Sequence, residues 1–377
     1  MAGIYIHIPY CKQACFYCDF HFSTQRSSSE KMVQSIISEA NLRKSYIGDE
    51  LVSTIYFGGG TPSLFDMNTL GKIINAINSN FKLADELEIT LEANPDDLSK
   101  GYLKELKKLG INRLSIGIQS FNDSFLKFMN RAHNSIEAQN CLHYAREAGF
   151  ENISLDLIYG VASEDHNIWE NDLKKAFDFL PEHISCYCLT IEPKTVFGRR
   201  KEKGILNESE ESFQNTQFKL LMQEATKHHY DHYEISNFCR DSNYSKHNTS
   251  YWKGKAYLGI GPGAHSFNGI SRQWNISNNP KYILGVESGD LKFELEILSK
   301  SEQINEFIMT GIRTKWGVKI DKLISDFNYP ILEKSNAVIE YWKSKGKLEV
   351  KEGAILLTSG GKYYADQIAS DLFTADN

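Results

Sequence analysis

Hydrophobic and polar residues alternate in two rhythms along this chain, and the rhythms take turns. From Gly3 the apolar positions fall at Ile4, Ile6 and Ile8, with Tyr5 and His7 between them. That period of two predicts a strand, and Pro9 ends it. Similar short strands are predicted at Ser53–Phe57, Glu86–Glu92, Arg113–Gly117, Ile153–Ile158 and His183–Leu189. Between them the patterning turns helical. Ser27-Ser-Ser-Glu30 offers a serine cap to a helix reaching about Tyr46. Further helices are predicted at Asn68–Asn78, Ser99–Leu109, Asp123–Asn130, Ser135–Ala148 and Asn167–Phe179. Strands alternating with helices over about 190 residues predict an α/β fold of right-handed βα units around a parallel sheet.

Beyond a helix at Glu208–His229 the rhythm weakens. Residues 233–294 are less regular and rich in glycine, asparagine and aromatics. Helical patterning returns at Ser301–Thr314, Lys319–Asp326 and Ile331–Lys345. Two short strands follow near Lys347–Val350 and Ile355–Thr358, then a last helix from Gly361. Helices followed by a hairpin predict a small, helical, winged-helix-like C-terminal domain. The expected organisation is a core at 1–235, an irregular segment at 236–295 and the C-terminal domain at 296–377.

Composition narrows the class. The chain has 377 residues, 41% hydrophobic and 24% charged, with a net charge of −6. That suits an ordinary globular protein and argues against a general nucleic-acid binder. Charges of both signs are mixed evenly in the C-terminal segment, so its winged-helix-like pattern does not change that expectation. No apolar run reaches the length of a membrane span, and the first strand starts too early for a signal peptide. Seven cysteines, an odd number with three crowded near the N-terminus, fit a reducing cytoplasm better than a disulfide scaffold.

Those three are Cys11, Cys15 and Cys18, on the loop beyond the first strand. Three thiolates there can hold three irons of a [4Fe–4S] cluster and leave the fourth iron open. The spacing favours the cluster over the alternative, a zinc site with His21 as fourth ligand. Cys186 and Cys188 point the same way along a strand and read as small buried hydrophobes. Active sites of parallel barrels gather at the C-terminal strand ends. Gly58-Gly-Gly-Thr-Pro62 follows the second strand, where glycines let backbone approach a ligand or simply turn tightly. Glu92 ends the third strand, Gln119 follows the fourth, and Arg131 lies after a short helix. Asp156 interrupts the apolar fifth strand, an expensive place for a lone carboxylate. Each has a structural alternative: helix cap, loop residue, surface cation, inter-strand hydrogen bonder. Gly259–Ser266 is a glycine run that lacks the βαβ context of a dinucleotide loop. His247-Asn-Thr-Ser-Tyr-Trp252 places an imidazole beside two flat aromatic faces, either a structural cluster or a site for a porphyrin.

The string from Tyr5 to Phe20, with its CxxxCxxC spacing, resembles the radical S-adenosylmethionine (SAM) superfamily. More narrowly, it is similar to the branch of oxygen-independent coproporphyrinogen oxidase and its heme-chaperone relatives. The resemblance implies an open, partial (β/α)6 barrel. It implies that SAM chelates the open iron through its amino and carboxylate groups, and that one electron from the cluster breaks the sulfonium bond to give a 5′-deoxyadenosyl radical. By the same resemblance Gly59, Gly60 and Thr61 meet the SAM amino group. Glu92 and Asp156 meet the ribose and amine end, Gln119 and Arg131 the ribose and carboxylate, and Tyr5 and Tyr17 flank the cluster and SAM. Gly259–Ser266 resembles a segment near the adenine. His247, Tyr251 and Trp252 match the HNxxYW motif associated with heme binding in the chaperone branch. The oxidase carries a further cysteine where this chain has Phe20, but His7 stands where the oxidase has a histidine near its substrate. The resemblance implies a heme chaperone needing an electron donor and a heme-acceptor protein. The alternative is the oxidase, with a porphyrinogen as substrate and His7 as a catalytic residue.

Overall fold

A computed structural model describes residues 1–375; the last two positions of the 296–377 segment lie outside it. Six strands run parallel and side by side in chain order: β1 (Ala2–Ile8), β2 (Val52–Gly59), β3 (Leu83–Ala93), β4 (Arg113–Gln119), β5 (Ile153–Tyr159) and β6 (His183–Cys188). Helices α1 (Ser29–Leu42), α2 (Met67–Asn80), α3 (Lys100–Lys108), α4 (Asp123–Phe128), α5 (Ser135–Glu147) and α6 (Asn167–Phe179) connect them. β1 and β6 do not pair, so the sheet is an open arc rather than a closed barrel.

Strand parity decides what faces where. One set, including Ile4, Ile6, Ile55, Phe57, Leu91, Leu114, Ile116, Leu155 and Ile184, packs with helix residues such as Ile36, Ile73 and Leu142 in the main apolar core. The opposite set faces the inside of the arc and is polar: Thr54, Tyr56, Glu88, Glu92, Arg113, Ser115, Ser154, Asp156, His183 and Ser185. A barrel interior is ordinarily filled with branched apolar side chains. Here two units of chain, a lower plug and an upper loop set, must satisfy a polar lining instead.

Helix α1 ends at Leu42, earlier than the periodicity implies, because Arg43 turns inward. It pairs with buried Glu39 at 3.2 Å and donates to the Gly259 carbonyl at 3.1 Å. After α7 (Val196–Glu202) and α8 (Glu211–Lys227), the segment read as less regular proves to be sheet. β7 (Asp231–Glu234) and β8 (Asn237–Cys239) extend the β6 edge. β9 (Tyr257–Ile260), β10 (His265–Phe267), β11 (Ser271–Asn275) and β12 (Phe293–Ile297) extend the β1 edge, giving twelve strands. Strands of three to five residues are too short to display a period. Helix α9 (Lys246–Trp252) crosses beneath the arc, and α10 (Asn279–Glu287) packs on α1.

The C-terminal segment has its own core, with Ile308, Leu323, Ile339 and Ile355 fully or almost fully buried. It comprises α11 (Lys300–Ile312), α12 (Ile320–Phe327), α13 (Ile331–Lys334), α14 (Asn336–Ser344), α15 (Ala365–Asp371) and a small sheet. The hairpin of β14 (Leu348–Lys351) and β15 (Ala354–Leu357) gains a third strand, the two-residue β13 (Val318–Lys319). Arg313 ties this unit to the arc, bonding Glu234 at 3.1 Å and Asp366 at 2.6 Å.

Candidate functional site

The loop after β1 is pinned at several points. The Cys11 N–H donates to the Ser23 carbonyl at 3.1 Å, and the Ser23 N–H returns to Pro9 at 2.9 Å. The Phe16 N–H reaches Met129, and Asn130 Nδ2 donates to the Ala14 carbonyl at 2.7 Å. So fixed, the loop directs Cys11, Cys15 and Cys18 into a cavity of about 460 Å³ at the C-terminal ends of the strands. All three thiols are half-buried and free. Burial pushes the Cys11 thiol up to about 11 and that of Cys18 to about 12. A metal must therefore displace their protons on binding, as metal-bound thiols require.

The donor set fits a cluster better than a single ion. Among the described residues no three His, Cys, Asp or Glu side chains converge on one ion-sized point. A [4Fe–4S] cluster needs no such convergence, because each thiolate takes a different iron. His21, which a zinc site would have needed as its fourth ligand, turns away and bonds Asn279 at 2.7 Å.

The glycine run crosses next to this loop. The Gly60 N–H donates to Ile8 and the Thr61 N–H to Tyr10, at 2.8 and 2.7 Å. A Cβ at Gly60 would lie 2.6 Å from the Tyr10 carbonyl, so only glycine permits this approach. Gly59, Gly60 and Thr61 all face the cavity. Glu92, at the end of β3, accepts from the Tyr56 hydroxyl at 2.8 Å and the Gly59 N–H at 3.2 Å. Burial raises its carboxyl to about 7 despite those bonds. Asp156 accepts from Ser115 at 3.1 Å, and burial raises it to about 6 against the pull of Arg113.

Arg131 spans the cavity wall. Its Nη2 donates to Asn94 at 2.6 Å and to the Gly117 carbonyl at 2.8 Å. Its Nη1 lies 3.3 Å from both the Tyr17 hydroxyl and Cys15 Sγ. Gln119, held at φ +65°, lies beside it on the same wall. One cavity therefore unites the three cysteines with Tyr17, Gly59, Gly60, Thr61, Glu92, Gln119, Arg131 and Asp156. It also takes Tyr56, Asn94, Ser185 and Asn248, which sequence reasoning did not single out. Cys188 stands at its rim, whereas Cys186 is buried in the apolar core.

Other expected residues lie elsewhere. Tyr5 donates to His7 Nδ1 at 3.1 Å, and His7 Nε2 donates to the His21 carbonyl at 2.8 Å. His7 is only 6% exposed, and burial lowers it to about 4, so it is a neutral strut below the cavity. The Gly259–Ser266 turn packs on the backbone of His7 and is locked by Glu39, which accepts from the Gly261 N–H at 2.8 Å. His247 is 1% exposed, deep at the N-terminal end of the arc. Its Nδ1 bonds Thr54 at 2.7 Å and its Nε2 bonds Tyr251 at 2.6 Å. Trp252 lies against Arg313, 5.7 Å from the guanidinium carbon. The six HNxxYW residues are thus the arc's lower plug, and only Asn248 reaches the cavity.

Comparison with known proteins agrees with this architecture. The Radical SAM superfamily profile matches residues 5–176, and the HemN C-terminal domain profile matches residues 298–364. The chain is 34% identical over 371 residues to the heme chaperone HemW of Bacillus subtilis, covering 98% of each. It is 34% identical over 324 residues to the heme chaperone HemW of Lactococcus lactis, covering 86% of this chain and 84% of that one. The structure of coproporphyrinogen III oxidase from Escherichia coli, described as a radical SAM enzyme, superposes with a TM-score of 0.86 at 20% identity. That match covers 99% of this chain and 90% of the oxidase chain, and it shows a shared fold.

Proposed function

The chain belongs to the HemW family of the radical SAM superfamily, and from that premise we propose that it is a heme chaperone. In this reading it holds a [4Fe–4S] cluster on Cys11, Cys15 and Cys18, binds SAM and heme, and passes heme to an acceptor protein. The observation that carries the cofactor assignment is the single cavity in which the thiols meet Glu92, Asn94, Arg131 and Asp156. Arg131 offers a planar fork suited to the SAM carboxylate. Glu92 and Asp156 offer acceptors for the ammonium and the ribose hydroxyls, and Gly59 and Gly60 bring backbone within reach. A reduced cluster would supply the electron that opens the SAM sulfonium bond, so an electron donor is part of the proposal. The free thiols agree with a cytoplasmic setting.

Chaperone and oxidase divide on what happens to the tetrapyrrole. Phe20 in place of the oxidase's additional cysteine, and the curated relatives' names, favour the chaperone. The test is anaerobic reconstitution followed by parallel assays. The protein should bind heme, and folded His247→Ala should alter the heme spectrum or weaken binding. Trp252→Ala should mainly lower affinity. Coproporphyrinogen should lose no carbon dioxide with cluster, SAM and reductant present. Robust SAM-dependent decarboxylation would install the oxidase instead.

A further inference from the structure

The large sheet has two edges, and they are finished differently. At one end β7 is sealed by the C-terminal unit. The Lys315 N–H donates to the Tyr233 carbonyl at 2.9 Å and the Ile235 N–H to the Arg313 carbonyl at 3.2 Å, and Glu234 forms a bridge with Thr314. At the other end β12 has β11 on one side and, among the described residues, no strand on the other. Its register with β11 runs unbroken from Asn275 opposite Phe293 to Ser271 opposite Ile297. Such an edge leaves a row of backbone N–H and C=O groups pointing outward, and natural edges blunt that row with lysine, proline or a bulge. Phe293-Glu-Leu-Glu-Ile297 has none of these.

The side chains of β12 are sorted by face. Phe293, Leu295 and Ile297 share one face and are 45%, 53% and 75% exposed. Their β11 neighbours do not cover them, because Asn275 is bonded to Glu39 and Gln273 to Arg43. Ile270, whose carbonyl accepts from the Leu298 N–H at 3.0 Å, adds a further exposed apolar side chain at the end of the row. Glu294 and Glu296 occupy the other face, and neither is in an ion pair among the described residues. Arg272, opposite Glu296, is already bonded to Glu306 at 2.7 Å, and Lys292 is paired with Asp290.

This pattern selects among occupants. A second copy could add its own β12 across a two-fold axis. With the apolar row kept on one face, every substantial overlap then sets Glu294 or Glu296 directly against a like charge, which destabilises a strand pair. A strand that alternates apolar and basic residues meets no such clash. It pairs its backbone with the free row, covers Phe293, Leu295 and Ile297, and places its cations beside the two carboxylates. We propose that β12 is a docking edge to which a partner protein adds an extended segment of alternating apolar and basic residues. Three strands separate β12 from β1, so the inference stands or falls separately from the chaperone reading.

The experiment uses the full chain and a labelled short peptide alternating lysine and valine, followed by fluorescence anisotropy at physiological salt. The lysine–valine peptide should bind saturably and slow amide hydrogen exchange in residues 293–297. A peptide alternating glutamate and valine should bind at least about fivefold more weakly, as two like-charge pairs replace two attractive ones. A shuffled lysine–valine peptide, which cannot keep one kind of residue on each face, should also bind more weakly. Leu295→Lys supplies the usual edge protection and should weaken the lysine–valine peptide at least about fivefold. The double variant Glu294→Lys, Glu296→Lys should reverse the preference, taking the glutamate–valine peptide over the lysine–valine one. Absence of saturable binding, equal binding of all three peptides, or no change in exchange at 293–297 would overturn the proposal. So would concentration-dependent self-association of the wild type that Leu295→Lys abolishes, which would assign the edge to a second copy.

Discussion

The upper and lower ends of the arc are built from opposite materials. The upper end is loop: the cysteine loop, the glycine run, and the segments carrying Gln119 and Arg131. Its groups are half-buried and keep unused bonding capacity. The lower end is strand interior and one short helix, and its histidine, threonine and tyrosine already bond one another. Polar residues line both. What differs is whether their bonds are spent within the chain: the upper end stands open to a ligand, and the lower end, in this arrangement, acts as a plug.

The largest expected effect falls at the upper end. Cys11→Ala should abolish stable loading of the full complement of about four irons, read by iron and sulfide analysis after reconstitution. Cys186→Ala, a change in the apolar core, should keep its cluster. Full iron occupancy in Cys11→Ala would erase the upper end's claim to be the metal site.

At the lower end the same size of side-chain deletion should cost stability rather than cofactor. His247→Ala strands the Thr54 and Tyr251 hydroxyls and empties the space on Tyr56. Denaturant titration should show a loss of about 2–4 kcal/mol. A loss near zero would mean that the plug is not a plug.

Smaller again is the effect of single carboxylates. Glu92→Ala or Asp156→Ala should weaken SAM binding about tenfold or more, a lost charged hydrogen bond of roughly 1.5–3 kcal/mol, with iron content unchanged. Unaltered SAM affinity in both folded variants would break their assignment.

The smallest effect is a slope with pH. Burial raises Glu92 to about 7 and Asp156 to about 6, above the ordinary carboxylate range. Groups raised in the folded state favour folding when protonated. Their share of apoprotein stability is therefore present at low pH and lost as pH rises through about 6 to about 7. SAM affinity should run the other way, because the ionised carboxylates make the contacts. Glu92→Gln should flatten its part of both slopes, measured by thermal unfolding and calorimetry between pH 5 and about 8. Parallel rather than opposed slopes would refute the assignment.

The sequence made the upper end more legible than the lower, for physical reasons. Cys11, Cys15 and Cys18 are neighbours on one loop, so spacing alone brought them together. Glycines 58–60 announced a special backbone at the end of a strand, although β2 runs on through Gly58 and Gly59 rather than turning at Phe57. Tyr56, Asn94 and Ser185 come from three different strands or their ends, and meet only when the sheet curves. His21 shows the converse. It is the histidine nearest the cysteines on their C-terminal side, yet its partner, Asn279, lies 258 positions away. The HNxxYW motif was visible, but not which of its side chains would point up. That depends on Glu88 and Thr54 seating the helix. The six short edge strands were missed because their pairing, not their patterning, makes them strands.

Strand β1 has a further consequence in time. It pairs with β2 on one side and, from Gly3 to Ile6, with β9 at Tyr257 to Ile260 on the other. A growing chain makes β1 first and supplies that second partner some 250 residues later. At about 5–20 residues per second, one edge of β1 stays unpaired for on the order of ten seconds or more. Helix α9 emerges in the same late stretch. The strand that carries the cysteine loop is thus the oldest part of the sheet and among the last to be completed. During synthesis the thiols are exposed before the lower end of the arc can close.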